Sequence, residues 1–153
     1  MERLRQVVEE VLIELFPYAE AKAVIIRPNL NDIEPMSVNR HFAGQILANI
    51  IHNAIKYSPQ GGVVDVTLDL QIDNVGQEKV VYVEVKDRGK GIEEKDRERI
   101  FELRIRGDAL IESGSGLGLH YARKLAHLHG GNVMLVESAV NHGSTFRIIL
   151  PYR

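Results

Sequence analysis

Gln45, Asn49, Asn53 and Lys56 follow one another at spacings of four, four and three. On a helix turning about 100° per residue they fall within an arc of roughly 80°. They flank an apolar stripe of Ile46, Leu47, Ile50, Ile51, Ala54 and Ile55. An amide oxygen there is a hard ligand suited to Mg²⁺, and an ammonium suits phosphate. Taken alone, a solvated helix flank explains the same pattern. Asp87-Arg88-Gly89-Lys90-Gly91-Ile92 follows an alternating apolar stretch. Its carboxylate can accept from a ligand amine, and its glycines let a backbone approach a flat ligand. An ordinary Asp-x-Gly turn has the same signature. Gly114-Ser115-Gly116-Leu117-Gly118-Leu119 precedes a helical pattern. Free N–H groups at a helix start attract anions, although a Gly-rich hinge reads the same way. The third glycine of the dinucleotide-binding fingerprint would fall on Leu119, and the P-loop pattern is absent. Residues 88–106 carry seven basic side chains against five acidic ones, a positive local field suited to polyphosphate if those charges are not merely solvated.

The elements that must position these groups follow from periodicity. Leu4, Val7, Val8, Val11, Leu12, Leu15 and Phe16 predict a helix over 1–16, stopped by Pro17. Lys22–Arg27 reads as a strand and Pro28–Pro35 as loop. Ser37 is the expected N-cap of a long helix reaching Tyr57. Alternation at Val64, Val66, Leu68, Leu70 and at Val81, Val83, Val85 predicts a hairpin, with its turn at 73–77. A short charged helix is expected over Glu93–Leu103, a mobile loop over 104–115, and a helix over Leu117–His129 ended by Gly130-Gly131. A second hairpin, Val133–Ser138 and Ser144–Leu150, closes the chain. Two hairpins imply antiparallel pairs. The expected class is therefore α+β, a two-layer α/β sandwich with helices on one face of a mixed sheet, built as one domain over 1–153.

Composition narrows the function. The chain has 153 residues, 44% hydrophobic and 26% charged, enough for a core without staples. It has no Cys, which excludes disulfides, a thiol nucleophile and a Cys-based zinc site. A net charge of −2 disfavours nucleic acid as the main partner. No run of 18 apolar residues occurs, so no membrane contact by this chain is expected and a cytoplasmic location is. None of the six histidines has the spacing of a metal ligand set.

In order and spacing these stretches resemble the ATP-binding catalytic domain of sensor histidine kinases. Asn49 through Pro59 resembles the N box, Asp87 through Ile92 the first glycine box, and Ile100-Phe101-Glu102 the phenylalanine box. Gly114 through Leu119 resembles the second glycine box, with His129-Gly130-Gly131 and Gly143-Ser144-Thr145-Phe146 completing the tail. The resemblance implies the Bergerat-type fold shared with gyrase-type ATPases, mismatch-repair ATPases and a class of heat-shock chaperones. It implies ATP and Mg²⁺ as cofactors. Asn53 would hold Mg²⁺, with Asn49 supporting the phosphate side. Lys56 would contact phosphate and Tyr57 would pack on the nucleotide. Asp87 would accept from the adenine amine, with Gly89, Gly91 and Ile92 around the base. Arg106 would reach the γ-phosphate across a lid at 104–115. Gly114, Gly116, Leu117, Gly118 and Leu119 would form the lid's return, and Thr145 would sit near the adenine. Two positions depart from the family pattern: Arg104 stands where a second aromatic is usual, and Arg88 where Asn is common.

The resemblance also implies what the chain acts on. Hydrolases of the superfamily, and its serine kinases, place a carboxylate four residues before the Mg²⁺ asparagine, as a base. Here that position is Asn49, which cannot take a proton. A neutral histidine acceptor needs no such base. No His-Glu-x-x-x-Pro motif occurs within the 153 residues. The acceptor histidine is therefore expected on a separate dimerisation domain, in cis in a longer protein or in trans, with a response regulator downstream. Residues 1–16 resemble the entry helix that follows such a domain. The alternative is a non-catalytic nucleotide-binding module of the same fold.

Overall fold

A computed structural model describes residues 1–72, 78–102 and 115–153, with the backbone alone for 115–117. Helix α1 spans Leu4–Ala21 and buries Leu4, Val7, Val8, Val11 and Ala19. Pro17 lies inside it rather than ending it. A proline there removes one donor. That loss is offset by the turn beyond it, which buries Ala19 and stacks Tyr18 on His52. Phe16 is 58% exposed and does not join the stripe, because it lies roughly 120° round the helix from Leu4.

Strand β1, Ile25–Leu30, starts later than expected and takes in Pro28. It is an edge strand, paired only with its parallel neighbour, where a missing N–H is tolerated. Helix α2 spans Arg40–Tyr57. Its N-cap is Asn39, whose side chain accepts from the Phe42 N–H at 3.0 Å, and not Ser37. The backbone N–H of Ser37 instead donates to the carbonyl of Arg153. At the other end, Lys22 Nζ donates to the carbonyls of Ile55 and Ser58 at 3.0 and 3.2 Å, and to that of Lys56. An ammonium there meets the negative end of the helix dipole.

Strands β2, Val63–Ile72, and β3, Lys79–Lys86, form the first hairpin. Its expected turn at 73–77 lies outside the described residues. Of the helix expected over Glu93–Leu103, the described residues form two 3-10 turns, Glu94–Asp96 and Arg99–Phe101. Within those turns only Phe101 is buried, so no apolar stripe holds a continuous helix. Helix α3, Ser115–Leu128, ends in a Schellman motif. Gly131 N–H donates to Ala126, Gly130 N–H donates to His127, and Gly130 takes φ +78°. Strands β4, Asn132–Ala139, and β5, Gly143–Pro151, complete the chain.

The sheet order is β1-β2-β3-β5-β4, parallel between β1 and β2 and antiparallel elsewhere. The α+β sandwich is thus observed, with a mixed sheet. Val64, Val66 and Leu68 of β2 join Val81, Val83 and Val85 of β3 in a buried layer with Phe146, Ile148 and Leu150 of β5. The helices cover this layer through Ile46, Leu47, Ile50, Ile51 and Ile55 of α2. The alternate residues of the strands are polar and paired: Asp65 bridges Arg27 and Arg88, and Glu84 bridges Arg147. Among the described residues no helix is long and apolar enough to cross a membrane.

Candidate functional site

A cleft of about 500 Å³ opens where α2, the end of β3 and the start of β5 meet. Helix α2 presents Asn53 and Tyr57 to it, and β3 delivers Asp87 at its exit. Lys90, Gly91 and Ile92 form one wall, with Ile100 from the second 3-10 turn and Leu119 from α3. The β4–β5 hairpin closes the far side through Val140, Asn141, Ser144 and Phe146. The lining is half polar groups and half apolar surface, which suits a flat heterocycle bearing a charged tail.

Asp87 is the buried acid of this site, only 5% exposed. Its Oδ1 accepts from the N–H of Gly89 at 2.9 Å and of Ser144 at 3.3 Å. Burial pushes the carboxyl above the ordinary carboxylate range, and the two N–H donors oppose that rise. Close backbone packing holds the acid in place. A Cβ on Gly89 would lie 2.3 Å from the carbonyl oxygen of Tyr57, and one on Gly91 would lie 2.1 Å from that of Ala139. These glycines therefore serve the approach of backbone to backbone. Gly91 also takes φ +73°, which favours glycine. The Asn141 N–H donates to the Lys90 carbonyl at 2.7 Å, tying the hairpin tip to the same loop.

On α2, Asn49, Asn53, Lys56 and Tyr57 are each half-buried, while Gln45 at the start of the polar arc is exposed. Lys56 Nζ and Lys90 Nζ lie 5.5 and 5.0 Å from the centroid of the Tyr57 ring. Two ammonium groups thus lie within reach of one aromatic ring and its quadrupole. His52, between Asn49 and Asn53, stacks on Tyr18 with centroids 4.4 Å apart. Burial and the neighbouring Lys56 charge lower its pKa.

Of the residues singled out from the sequence, Asn53, Tyr57, Asp87, Gly91, Ile92 and Leu119 line the cleft together. Asn49 faces α3 instead: a Cβ on Gly118 would sit 3.9 Å from its side chain. Lys56 and Gly89 lie beside the lining residues without being among them. Thr145 is buried between Ser144 and Phe146, and alternation turns it from the cleft that its two neighbours line. Gly116 and Leu117 fall in the first turn of α3. Gly114, Arg104, Arg106 and the lid expected over 104–115, apart from Ser115, which begins α3, lie outside the described residues.

The basic run at 88–102 is more internally satisfied than its sequence implied. Arg88 pairs with Asp65, Arg97 donates to the Ser138 carbonyl and Arg99 reaches Asp96. The hairpin residues Ser138, Val140, Asn141 and Ser144 escaped the sequence reading as parts of the site. Asn141 and Gly143, with φ of +67° and +101°, were the only signal of a tight turn there, and a turn says nothing of what it leans on.

A buried acid and an amide line one cleft, with two ammonium groups at the Tyr57 ring beside it. Comparison with known proteins identifies the family. The model of the histidine kinase-, DNA gyrase B- and HSP90-like ATPase family matches residues 38–153. The sensor histidine kinase WalK of Bacillus subtilis (strain 168) is 34% identical over 147 residues, covering 94% of this chain and 23% of that protein. The adaptive-response sensory kinase SasA of Microcystis aeruginosa is 32% identical over 151 residues, covering 97% of this chain and 38% of that protein. This chain therefore spans well under half the length of the curated relatives it matches. Among solved structures, the mycobacterial sensor histidine kinase MprB superposes with a TM-score of 0.80 at 27% identity, covering 99% of this chain and 95% of that one. The catalytic domain of the histidine kinase ThkA gives 0.81 at 25% identity, covering 98% and 93%. With the matched segment running from before α2 to the last residue, the chain belongs to the histidine kinase-, DNA gyrase B- and HSP90-like ATPase family.

Proposed function

We propose that this domain binds Mg·ATP in the cleft and passes the γ-phosphate to a histidine of a separate dimerisation and phosphoacceptor domain, upstream of a response regulator, on the cytoplasmic side of the cell. The observation that carries the reading is Asp87. It is a buried carboxylate lining a cleft that the Asn53 amide also lines. The acid is suited to the exocyclic amine of adenine, and the amide to the phosphate end.

Asn53 is the group fit to hold Mg²⁺. Its amide lines an open cleft, and Mg²⁺ is content with one or two protein oxygens plus phosphates and water. When bound, the ion neutralises charge on the phosphates. The residues of the chain then position and screen: Tyr57 packs on the nucleotide, and Lys56, Lys90 and Arg106 supply positive charge for the phosphates. Asn49 offers no base for water or a serine hydroxyl at the position four residues before Asn53. An acceptor imidazole needs none. Its nitrogen forms the N–P bond as the bridging P–O bond breaks, ADP departs, and the imidazole proton passes to solvent. Catalysis here is positioning and charge neutralisation.

The test adds a phosphoacceptor domain in trans with γ-labelled ATP. Base-stable, acid-labile label is expected on the acceptor and none on this chain alone. Intact Mg·ATP binding without transfer to any acceptor would instead establish a nucleotide-binding module.

Two further results are expected. Asn53→Ala should abolish the Mg²⁺ dependence of ATP affinity while the fold survives, because Mg²⁺ loses its protein ligand. Titration of ATP with and without Mg²⁺ decides it, and an undiminished Mg²⁺ effect moves the ion elsewhere. Acid should weaken nucleotide binding through Asp87. Its pKa is raised, so the free protein takes up this proton above the ordinary carboxylate range, and a protonated carboxyl loses its strength as an acceptor. The corresponding stability term has the opposite sign from a salt-bridged acid. Ionising Asp87 costs the folded state, so this group subtracts stability as pH rises through its raised pKa. ADP affinity measured from neutral to mildly acid pH should show a falling limb that is missing in Asp87→Ala. The same limb in both proteins would assign it to another group.

A further inference from the structure

The hairpin between β4 and β5 contributes a pair of buried hydroxyls, that of Ser144 on a residue lining the cleft and that of Ser138 behind it. Ser138 is 9% exposed and Ser144 is 6% exposed, with their Oγ atoms 2.9 Å apart. Ser138 Oγ accepts from the Ile92 N–H at 2.8 Å and lies 3.3 Å from the Gly143 carbonyl, to which it can donate. The carbonyl of Ser138 accepts from the Arg97 guanidinium at 2.6 Å. Ser144, the partner of Ser138, donates its backbone N–H to Asp87 Oδ1. One residue thus joins three segments that the chain order keeps apart. These are the end of the loop that begins at Asp87, the 3-10 turn region at Arg97, and the start of β5.

The need for a tie here is physical. The loop from Asp87 to Ile92 has no regular secondary structure. Gly89 and Gly91 let it pack closely on Tyr57 and Ala139, but no strand ladder holds it between Asp87 and Ile92. A carboxylate discriminates between an amine and a carbonyl only if its oxygen is held to within a few tenths of an ångström. Hydrogen bonds to Oδ1 from Gly89 and Ser144 fix the acid only as well as those two backbones are fixed.

We propose that Ser138 is a positioning residue for base recognition: by accepting from Ile92 and pairing with Ser144, its hydroxyl locks the loop and the strand that together aim Asp87 at the base. The proposal rests on the reading of Asp87 as the adenine acceptor. It assigns selectivity to a residue that lies outside the cleft lining and touches no part of the nucleotide.

The experiment measures ADP, GDP and Mg-tripolyphosphate binding by calorimetry to wild type, Ser138→Ala, Ser138→Thr, Ser144→Ala and Asp87→Ala. Ser138→Ala leaves the Ile92 N–H without its acceptor. It is expected to weaken ADP about tenfold, with GDP and tripolyphosphate unchanged, so the adenine preference falls. Ser138→Thr keeps the hydroxyl in a residue at home in a strand, and should restore the preference. Ser144→Ala keeps both the backbone N–H to Asp87 and the Ser138 acceptor, and should lose only about two- to threefold. A parallel loss of ADP and tripolyphosphate in Ser138→Ala would show general loosening and overturn the proposal, as would no rescue by Thr. An unchanged ADP-to-GDP ratio in Ser138→Ala, with the ratio lost in Asp87→Ala, overturns the positioning role alone. Retention of the ratio in Asp87→Ala overturns the adenine reading and the proposal with it. Should Ser138→Ala not fold, the Ser138→Thr and Ser144→Ala pair carries the test. The proposal then requires full selectivity in the first and a small loss in the second.

Discussion

Replacing Asp87 with alanine is expected to weaken ADP binding roughly 5- to 150-fold while leaving GDP binding as it was. The ligand amine would find no acceptor where the buried carboxylate stood, which costs roughly 1–3 kcal/mol. Guanine presents a carbonyl oxygen at that point, so it loses nothing and gains slightly as the repulsion goes. The structure sharpens the expectation. Asp87 is held by two backbone N–H groups of its own chain, so its removal also frees Gly89 and Ser144 N–H donors. Selectivity should therefore collapse from the adenine side. Isothermal titration with both diphosphates reads this directly. A mutant that still prefers ADP would reduce Asp87 to a turn residue and place base recognition elsewhere in the cleft.

The largest structural effect is expected from Gly143→Ala. Gly143 takes φ +101°, and a Cβ there would lie 2.1 Å from the Asp87 carbonyl oxygen and 2.7 Å from the Arg88 Cα. Backbone strain and overpacking together cost about 2–4 kcal/mol. For a domain of this length that lowers the melting midpoint by roughly 4–16 °C. Because the clash falls on the residue that carries the acid, ADP affinity should drop with stability. Gly61→Ala is the comparison: it also has positive φ, at +82°, but a Cβ there meets nothing within 4 Å. It should lose stability through strain alone and keep nucleotide binding. Equal binding losses in the two variants would break the link between the hairpin and the acid.

The fold was legible in the sequence where one face of an element is apolar. The alternation of Val64, Val66 and Leu68 against Val81, Val83 and Val85 became the paired centre of the sheet. The stripe from Ile46 to Ile55 became the buried face of α2. Boundaries set by tertiary contacts were not legible. Pro17 reads as a stop, yet a helix whose next turn buries Ala19 continues past it. Ser37 and Asn39 are both good caps by type, and only the position of the first turn chooses between them. The charged stretch after Gly91 has helical composition but lacks an apolar stripe, so it breaks into 3-10 turns. The site was legible as a set of motifs, since Asn53, Tyr57, Asp87, Gly91 and Ile92 do converge. The support behind them was not. Ser138 and Ser144 reach Asp87 through strand register and a turn, neither of which leaves a mark on residue spacing.

β3 and β5 lie side by side in the sheet, with Lys86 opposite Thr145. Residues 87–142 leave one strand and return to its neighbour, carrying most of the cleft with them. Most of the cleft lining is thus carried on an excursion between two neighbouring strands. Its two ends are fixed by a register that the excursion's own length does not alter. Each doubling of a flexible connection costs only about 0.6 kcal/mol in closure entropy. Insertions in the connections of this stretch, outside α3 and β4, should therefore be absorbed locally, at the edge of the site, while α2 and strands β1, β2, β3 and β5 keep their places. Different members of such a lineage can then diverge in how they enclose and release a ligand without having to reinvent the scaffold that presents it.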